Sequence, residues 1–370
     1  MKILLLGEYS NVHNTLAQGL RSIGQEVCVA SDGDDWKNYP RDIDLYRNPS
    51  RRLNFAGRLL KALPKMRGYD IVQIINPMFL ELKAEHIFSI YKYLRRHNGK
   101  IVLGAFGMDY YWVSINSNIR PLRYSDFNFG ETIRTDPEAE IHRKEWIGTT
   151  KERLNRMIAG DCDGIVAGLY EYWATYREIT DVGRNGKPIR DKMTFIPFPI
   201  VLPDRPNLLF SGGPVKIFVG ISRNRSAYKG TDIMLRAARD VRSVHPKKVE
   251  INIAEGVSFE QYNKMMDGSD AILDQLYSYT PSMNSLLAMS KGIINIGGGE
   301  PENYSILGEN NLRPIVNVKP NYDSVYSKIE ELITSPEAIP ELKRQSVEYI
   351  RRHHDYIKVA SEYLDFYNSI

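Results

Sequence analysis

Short, wholly apolar runs alternate with amphipathic stretches through the first 200 residues. Residues 2–6 (Lys-Ile-Leu-Leu-Leu) read as a buried strand, 14–23 as a helix and 26–30 as the next strand, an opening βαβ unit. The alternation continues with strands at 70–75, 100–105, 164–167 and 194–196 and helices at 84–96 and 146–159. Apolar strands separated by helices predict a parallel sheet covered on both faces, because a strand buried on both sides has no polar alternation. Between 197 and 214 the periodicity stops, and Pro197, Pro199, Pro203, Pro206 and the pair Gly212-Gly213 accumulate, which predicts an interdomain linker. A second series follows, with strands at 215–221, 249–254, 271–274 and 292–296 and helices at 232–244, 259–266 and 283–290. The tail from 336 to 370 is helical, with Tyr356, Val359, Tyr363 and Phe366 spaced as one buried stripe. The expected class is α/β, with two doubly wound, Rossmann-like domains at 1–200 and 215–354 joined by a linker at 201–214.

Composition agrees with two folded domains: 370 residues, 42% hydrophobic and 25% charged, suffice for two cores. Cys28 and Cys162 stand far apart and form no CxxC pair, so neither a disulfide framework nor a zinc site is expected. Met1-Lys2 runs directly into the first strand, and no apolar run approaches the ~18 residues of a membrane span. The expectation is a cytoplasmic protein without a signal peptide. A formal charge of +4 is too mild for this length to imply a nucleic-acid partner.

Candidate chemistry gathers where strands end. The first strand leads through Gly7-Glu8-Tyr9-Ser10-Asn11-Val12-His13-Asn14 into a helix, where a doubly wound sheet binds anionic or sugar ligands. This is not the GxGxxG dinucleotide fingerprint. His13 is a candidate catalytic residue or a polar residue of the helix start, and Asn14 a candidate cap. Asp109, after the strand 100–105, has three open roles: general base, ligand for sugar hydroxyls, or turn cap. Residues 119–131, with Arg120, Arg123, Tyr124, Asp126 and Phe127 in no clear period, suit an acceptor-side loop.

The second domain opens on a strand followed by Arg223, Arg225 and Lys229, bracketed by Gly220 and Gly230. Forked arginine donors, a compact lysine charge and a helix N-terminus together suit a diphosphate, with a solvated basic loop as the alternative. Asn284 stands at the start of the helix 283–290. Gly298, within Gly297-Gly298-Gly299, permits close backbone approach to a ligand, and Glu300 and Glu302 are suited to sugar or ribose hydroxyls or to a helix N-terminal charge role.

The order of strand, Gly loop and helix, then Pro-rich linker, Gly-x-x-Arg-x-Arg with Lys-Gly, and Pro-x-x-Asn-x-Leu-x-Ala-Met-x-x-Gly (281–292) resembles the group 1, family-four-like glycosyltransferases of the B-type fold. The likeness is to members encoded with bacterial surface-polysaccharide genes; it covers nearly the whole chain and is strongest from 215 to 304. It implies two Rossmann-like domains facing a cleft, a C-terminal helix (355–370) crossing back to the first domain, and a donor diphosphate held by Arg223 or Arg225 and Lys229. It implies retention of anomeric configuration, with a nucleotide-sugar as substrate and no separate cofactor; the cations are expected to take the place of a metal. Three positions depart from the pattern: Tyr279 and Leu287 stand where many members carry glutamates, and Phe106 where a histidine is common.

The resulting expectation is sugar transfer from a nucleotide-sugar, held by the second domain, to a glycan or lipid-linked acceptor held by the first. The alternatives are a catalytically silent nucleotide-sugar-binding scaffold, consistent with Leu287 and Phe106, and an epimerase or phosphorylase on the same plan. Residues 51–67 hold six cations among apolar residues and no acid. Contact with an anionic membrane and a sheet-covering helix with a basic outer face are the two readings of that segment.

Overall fold

The computed structural model describes residues 1–47, 52–184, 186–221 and 226–370. The chain divides into two compact units: Met1–Leu122, Glu140–Pro199 and Tyr356–Ile370 form the first, and Arg123–Ala139 and Ile200–Asp355 the second. In chain order the strands are β1 (Lys2–Leu6), β2 (Glu26–Ser31), β3 (Ile43–Asp44), β4 (Ile71–Ile74), β5 (Lys100–Ala105), β6 (Asn128–Phe129), β7 (Thr132–Ile133), β8 (Gly164–Ala167), β9 (Met193–Phe195), β10 (Val215–Ile221), β11 (Val249–Glu255), β12 (Ala271–Leu273), β13 (Ile294–Gly297) and β14 (Val316–Asn317).

The first unit is built on a parallel sheet of order β3-β2-β1-β4-β5-β8-β9. Strand order reverses beside β1, where Leu4 pairs with Cys28 on one side and Val72 on the other. In a doubly wound sheet this reversal opens a crevice at the carboxyl ends of the strands. Ile3, Leu4, Leu5 and Leu6 have no exposed surface, as a central strand covered on both faces requires. Helix Val12–Ser22 buries Val12, Leu16, Ala17 and Leu20. Its Gly19 lies against the C-terminal helix Tyr356–Ser369; a Cβ there would collide with the Tyr356 carbonyl and stand 2.8 Å from the Ala360 methyl. The same C-terminal helix carries Tyr367, whose hydroxyl donates to Gln73 Oε1 at 2.7 Å. The last helix of the chain is therefore part of the first unit's core.

The second unit has a parallel sheet of order β11-β10-β12-β13-β14. Alternate residues of β10 serve opposite faces: Val215, Ile217 and Val219 pack with Met234, Ala238, Val241 and Ile329, whereas Phe218 packs with Ala254, Met266, Ile272 and Ala288. Lys343, with no exposed side-chain surface, places its ammonium 2.8 Å from Asp270 Oδ1, and Asp270 Oδ2 accepts the backbone N–H of Lys216 at 3.0 Å. This pair ties helix Ile339–His353 to the entry of the sheet.

Three features differ from the sequence-based expectation. The helix expected over 146–159 is two helices, Pro137–Trp146 and Thr150–Asp161. Gly148 between them has φ +72°, and the Thr149 side chain caps the second by accepting from Lys151 N. The segment Arg123–Ala139, within the span read as one domain, groups with the second unit and carries the β6-β7 hairpin. The 201–214 stretch also belongs to the second unit, where Asn207 N donates to the Lys291 carbonyl at 3.0 Å.

Helix Arg52–Ala62 and the turn after it bury Phe55, Leu59, Ala62 and Met66 while Arg58, Lys61, Lys65 and Arg67 face outward. The described part of the segment is thus amphipathic, with one buried apolar face and a basic outer face. Arg51 lies outside the described residues. Among the described residues, no helix is long and apolar enough to cross a membrane.

Candidate functional site

At the carboxyl edge of the first sheet, the loops after β1, β4 and β5 surround a cavity of about 650 Å³. Tyr9 comes from the first loop, Asn76, Met78 and Leu80 from the second and Met108 from the third, with Trp146 and Lys151 among the other lining residues. The Lys151 ammonium lies 5.1 Å from the centre of the Trp146 ring. Apolar and aromatic side chains beside a few polar and charged groups are the general make-up of a small-molecule pocket. Glu81 also lines the cavity, and burial raises its carboxyl above the usual range.

His13 and Asp109 do not line this cavity, and neither is exposed. His13 lies in the first turn of helix Val12–Ser22, with Nδ1 2.8 Å from the Gly7 carbonyl and Nε2 3.2 Å from Gln73 Nε2. The carbonyl can only accept, so the ring carries its proton on Nδ1 and accepts from Gln73 through Nε2. Burial lowers its pKa to about 3. Both nitrogens are engaged and the ring is neutral, so the expected catalytic histidine is here a buried structural one. Glu8 caps the same helix, accepting from His13 N at 3.2 Å and Asn14 N at 2.8 Å, while burial pushes its carboxyl up to about 8. The capping side chain is thus the Glu8 carboxyl; the Asn14 side chain donates to Asn11 Oδ1 at 2.8 Å.

Asp109 is the N-cap of helix Tyr110–Asn118. Its Oδ1 accepts from Trp112 N at 2.8 Å and its Oδ2 from the Tyr176 hydroxyl at 2.5 Å; burial raises its pKa to about 6. Of the three roles open to it from sequence, the geometry selects the cap. Phe106 packs edge-on against Phe198 at 5.2 Å and His13 at 6.5 Å, filling apolar space.

At the corresponding edge of the second sheet, the loops after β10, β12 and β13 meet. Arg223 and Arg225 lie outside the described residues. Lys229 ends the short helix Ser226–Lys229, and its carbonyl accepts from Leu276 N at 3.0 Å. Asn284 lies in the first turn of helix Met283–Ser290 and donates to the Tyr262 hydroxyl at 2.5 Å. Gly298 is pressed on the loop after β12: a Cβ there would collide with the Ser278 carbonyl oxygen. Its lack of a side chain thus serves loop packing. Asp274, at the end of β12, accepts from the hydroxyls of Ser282 and Ser285.

Glu300 and Glu302 are brought together at the start of helix Pro301–Ile306. Glu300 accepts from Arg123 Nη2 at 2.8 Å and from the Tyr124 hydroxyl at 2.8 Å. Glu302 takes both terminal nitrogens of the same guanidinium, which lowers its pKa. Arg123 also lies 4.9 Å from the centre of the Tyr279 ring, and its backbone N–H donates to the Tyr279 hydroxyl at 2.6 Å. Tyr279 is buried, so the position that would carry a glutamate in the resembled family is an aromatic platform for Arg123. These contacts correct the expectation of an acceptor-side loop for the Arg123–Glu131 part of 119–131. Nothing local in the sequence joins Arg123 to carboxylates 177 and 179 residues away. Among the described residues no group of three or more His, Cys, Asp or Glu side chains is placed to hold a metal ion.

No protein-family model and no curated protein matches the chain. Among solved structures, it is similar to a sucrose-phosphate synthase from Thermosynechococcus elongatus, at 12% identity and TM-score 0.62, covering 100% of this chain and 99% of the other. Anabaena HepE solved with UDP-glucose gives 13% identity and TM-score 0.57 with full coverage of both chains; HepE is also solved with UDP and with UDP and glucose. A UDP-GlcNAc 2-epimerase from Neisseria meningitidis bound to UDP-GlcNAc gives 10% identity and TM-score 0.54, again with full coverage of both. At these identities the likeness establishes the fold: two Rossmann-like domains of the glycosyltransferase B type.

Proposed function

We propose that this chain transfers a sugar from a nucleotide-sugar to a glycan or lipid-linked glycan, with the donor held at the carboxyl edge of the second sheet. The observation that carries this reading is the convergence there of the loops after β10, β12 and β13, through Lys229 with Leu276 and Gly298 with Ser278. In this reading Lys229, with Arg223 and Arg225, stabilises the departing diphosphate, and the N-terminus of helix Met283–Ser290 adds its dipole. Charge stabilisation by these cations requires no metal, and retention of configuration follows from the family resemblance. HepE, which shares the fold, is solved with UDP-glucose. The acceptor is assigned to the first-unit cavity, which Tyr9, Trp146 and Lys151 line. His13 and Asp109 take no chemical step in this account; they hold the loops that line the cavity.

An epimerase shares the fold, and Tyr279 and Leu287 remove two carboxylates expected of a transferase. Turnover separates the readings. Incubation with UDP-glucose, UDP-GlcNAc and their GDP counterparts, with and without lipid-linked or oligosaccharide acceptors, should release nucleoside diphosphate in step with a glycosylated acceptor. An isomerised donor without nucleotide release indicates an epimerase. Binding without either product indicates a silent scaffold. We place the reaction in the reducing cytoplasm, where the free Cys28 and Cys162 are stable. The outward cations of helix Arg52–Ala62 support peripheral contact with an anionic bilayer, which sedimentation with anionic liposomes at low salt tests.

A further inference from the structure

The segment Arg123–Ala139 belongs to the second unit, although the chain on either side of it, up to Leu122 and from Glu140, belongs to the first. Two groups of contacts near its ends hold it to the second unit, and between them the Phe129 ring packs edge-on against Tyr277 at 5.1 Å. At its start, Arg123 forks onto Glu300 and Glu302 and covers Tyr279, while Tyr124 donates to Glu300 and stacks on Tyr279 with ring centres 4.7 Å apart. Towards its end, the buried guanidinium of Arg134 lies 4.3 Å from the centre of the Tyr277 ring and 5.7 Å from that of Tyr228. Arg134 also donates to the Tyr228 carbonyl at 3.3 Å and pairs with Asp136 at 3.0 Å. Between the anchors, the β6-β7 hairpin exposes Phe129, Glu131 and Ile133.

The two anchors differ in kind. The Arg123 side chain is 56% exposed, so its ion pairs are open to screening by salt, while Tyr124 and Tyr279 beside it are buried. Arg134 is desolvated between aromatic faces, where a cation is held more firmly. The residues covered, Tyr228, Tyr277, Tyr279, Glu300 and Glu302, stand on the loops after β10, β12 and β13, the edge at which a doubly wound sheet receives its ligand. Both carboxylates able to accept sugar or ribose hydroxyls are filled by the segment's own donors.

We infer that Arg123–Ala139 is a strap that occupies the donor edge of the second sheet and releases at its Arg123 end, pivoting on Arg134, before a nucleotide-sugar binds. The inference rests on the donor assignment above. A protein whose competent form is only a fraction of the population binds with an affinity reduced by that fraction. Loosening the strap therefore tightens donor binding.

The test is titration of UDP and UDP-glucose into wild type, Arg123→Ala and Tyr124→Phe, with hydrogen exchange of the same three proteins without ligand. Arg123→Ala should bind UDP-glucose about tenfold more tightly at low salt, with the ratio to wild type narrowing as salt rises, and Tyr124→Phe should follow in the same direction. Unchanged or weaker binding in both variants overturns the strap. If no protein binds either ligand, the UDP donor reading fails, and exchange decides the strap alone. Faster exchange at 123–139 in Arg123→Ala with unchanged exchange in β10 supports release as a unit; equal exchange in both proteins overturns it.

Discussion

Arg123 Nη2 lies 2.8 Å from Glu300 Oε2, 177 residues further along the chain. With Glu302 on the same guanidinium, this contact pins the first residue of the Arg123–Ala139 segment to the loop after β13. Because the guanidinium is more than half exposed, its contribution to global stability is small. Arg123→Ala should lower the unfolding free energy by under about 1 kcal/mol, read from urea denaturation, whatever it does to ligand affinity. A loss of several kcal/mol would mean that the segment is part of the second unit's folding core.

The Lys343–Asp270 pair predicts the opposite magnitude. Lys343 has no exposed side-chain surface, and its removal leaves the Asp270 carboxylate buried without its cation. Lys343→Ala should cost about 3–5 kcal/mol in urea denaturation, and Lys343→Met with Asp270→Asn should recover a large part of it. Equal loss in Lys343→Ala and in the double variant, which restores the volume and leaves no unpaired charge, would contradict this account.

His13 gives a pH prediction. Its folded pKa is about 3 against an ordinary 6.5. A depressed folded pKa means that the unfolded chain takes up the proton first, so this contribution to stability is intact above pH 6.5 and is lost as pH falls from there towards 3. The His13 ring resonances in NMR should show the Nδ1-protonated tautomer and no titration between pH 7.5 and 5. A midpoint near 6.5 would contradict the buried arrangement.

Asp109 shifts the other way, from 3.8 to about 6. Its contribution is present below the unfolded pKa and lost as pH rises through 4 to 6. Asp109→Asn should flatten that part of the pH–stability profile. Asp109→Ala should cost about 1–2 kcal/mol through the lost cap on Trp112 N. If either variant abolishes sugar transfer without affecting stability, Asp109 acts on substrate and the structural assignment is wrong.

Strands such as Lys2–Leu6 and Val215–Ile221 were legible because a central parallel strand is apolar throughout, and the Pro- and Gly-rich stretch near 200 marked the passage between two α/β series. Short elements were not. Ile43–Asp44 and Val316–Asn317 are two-residue strands with no period to detect, and the break at Gly148 lies inside one continuous helical pattern. The site was legible as positions rather than roles. Sequence located Asp109, His13, Glu300 and Glu302 at the ends of strands, but whether a polar side chain there faces a ligand or a neighbouring helix depends on distant partners. Tyr176 for Asp109, Gln73 for His13 and Arg123 for the two glutamates lie 67, 60 and up to 179 residues away. Spacing within one motif carries no trace of them.

The donor assignment is tested most directly by thermal unfolding of the wild type and Lys229→Ala against UDP, GDP, ADP and CDP and their glucose conjugates. A ligand that binds only the folded chain raises its stability as ln(1 + [L]/Kd), about 2.7 kcal/mol at a hundredfold excess over Kd. One nucleoside diphosphate should raise the wild-type midpoint by several degrees, and in Lys229→Ala the shift, taken from that variant's own unliganded midpoint, should be lost. No shift with any nucleotide, or an equal shift in both proteins, would contradict a diphosphate site at Lys229.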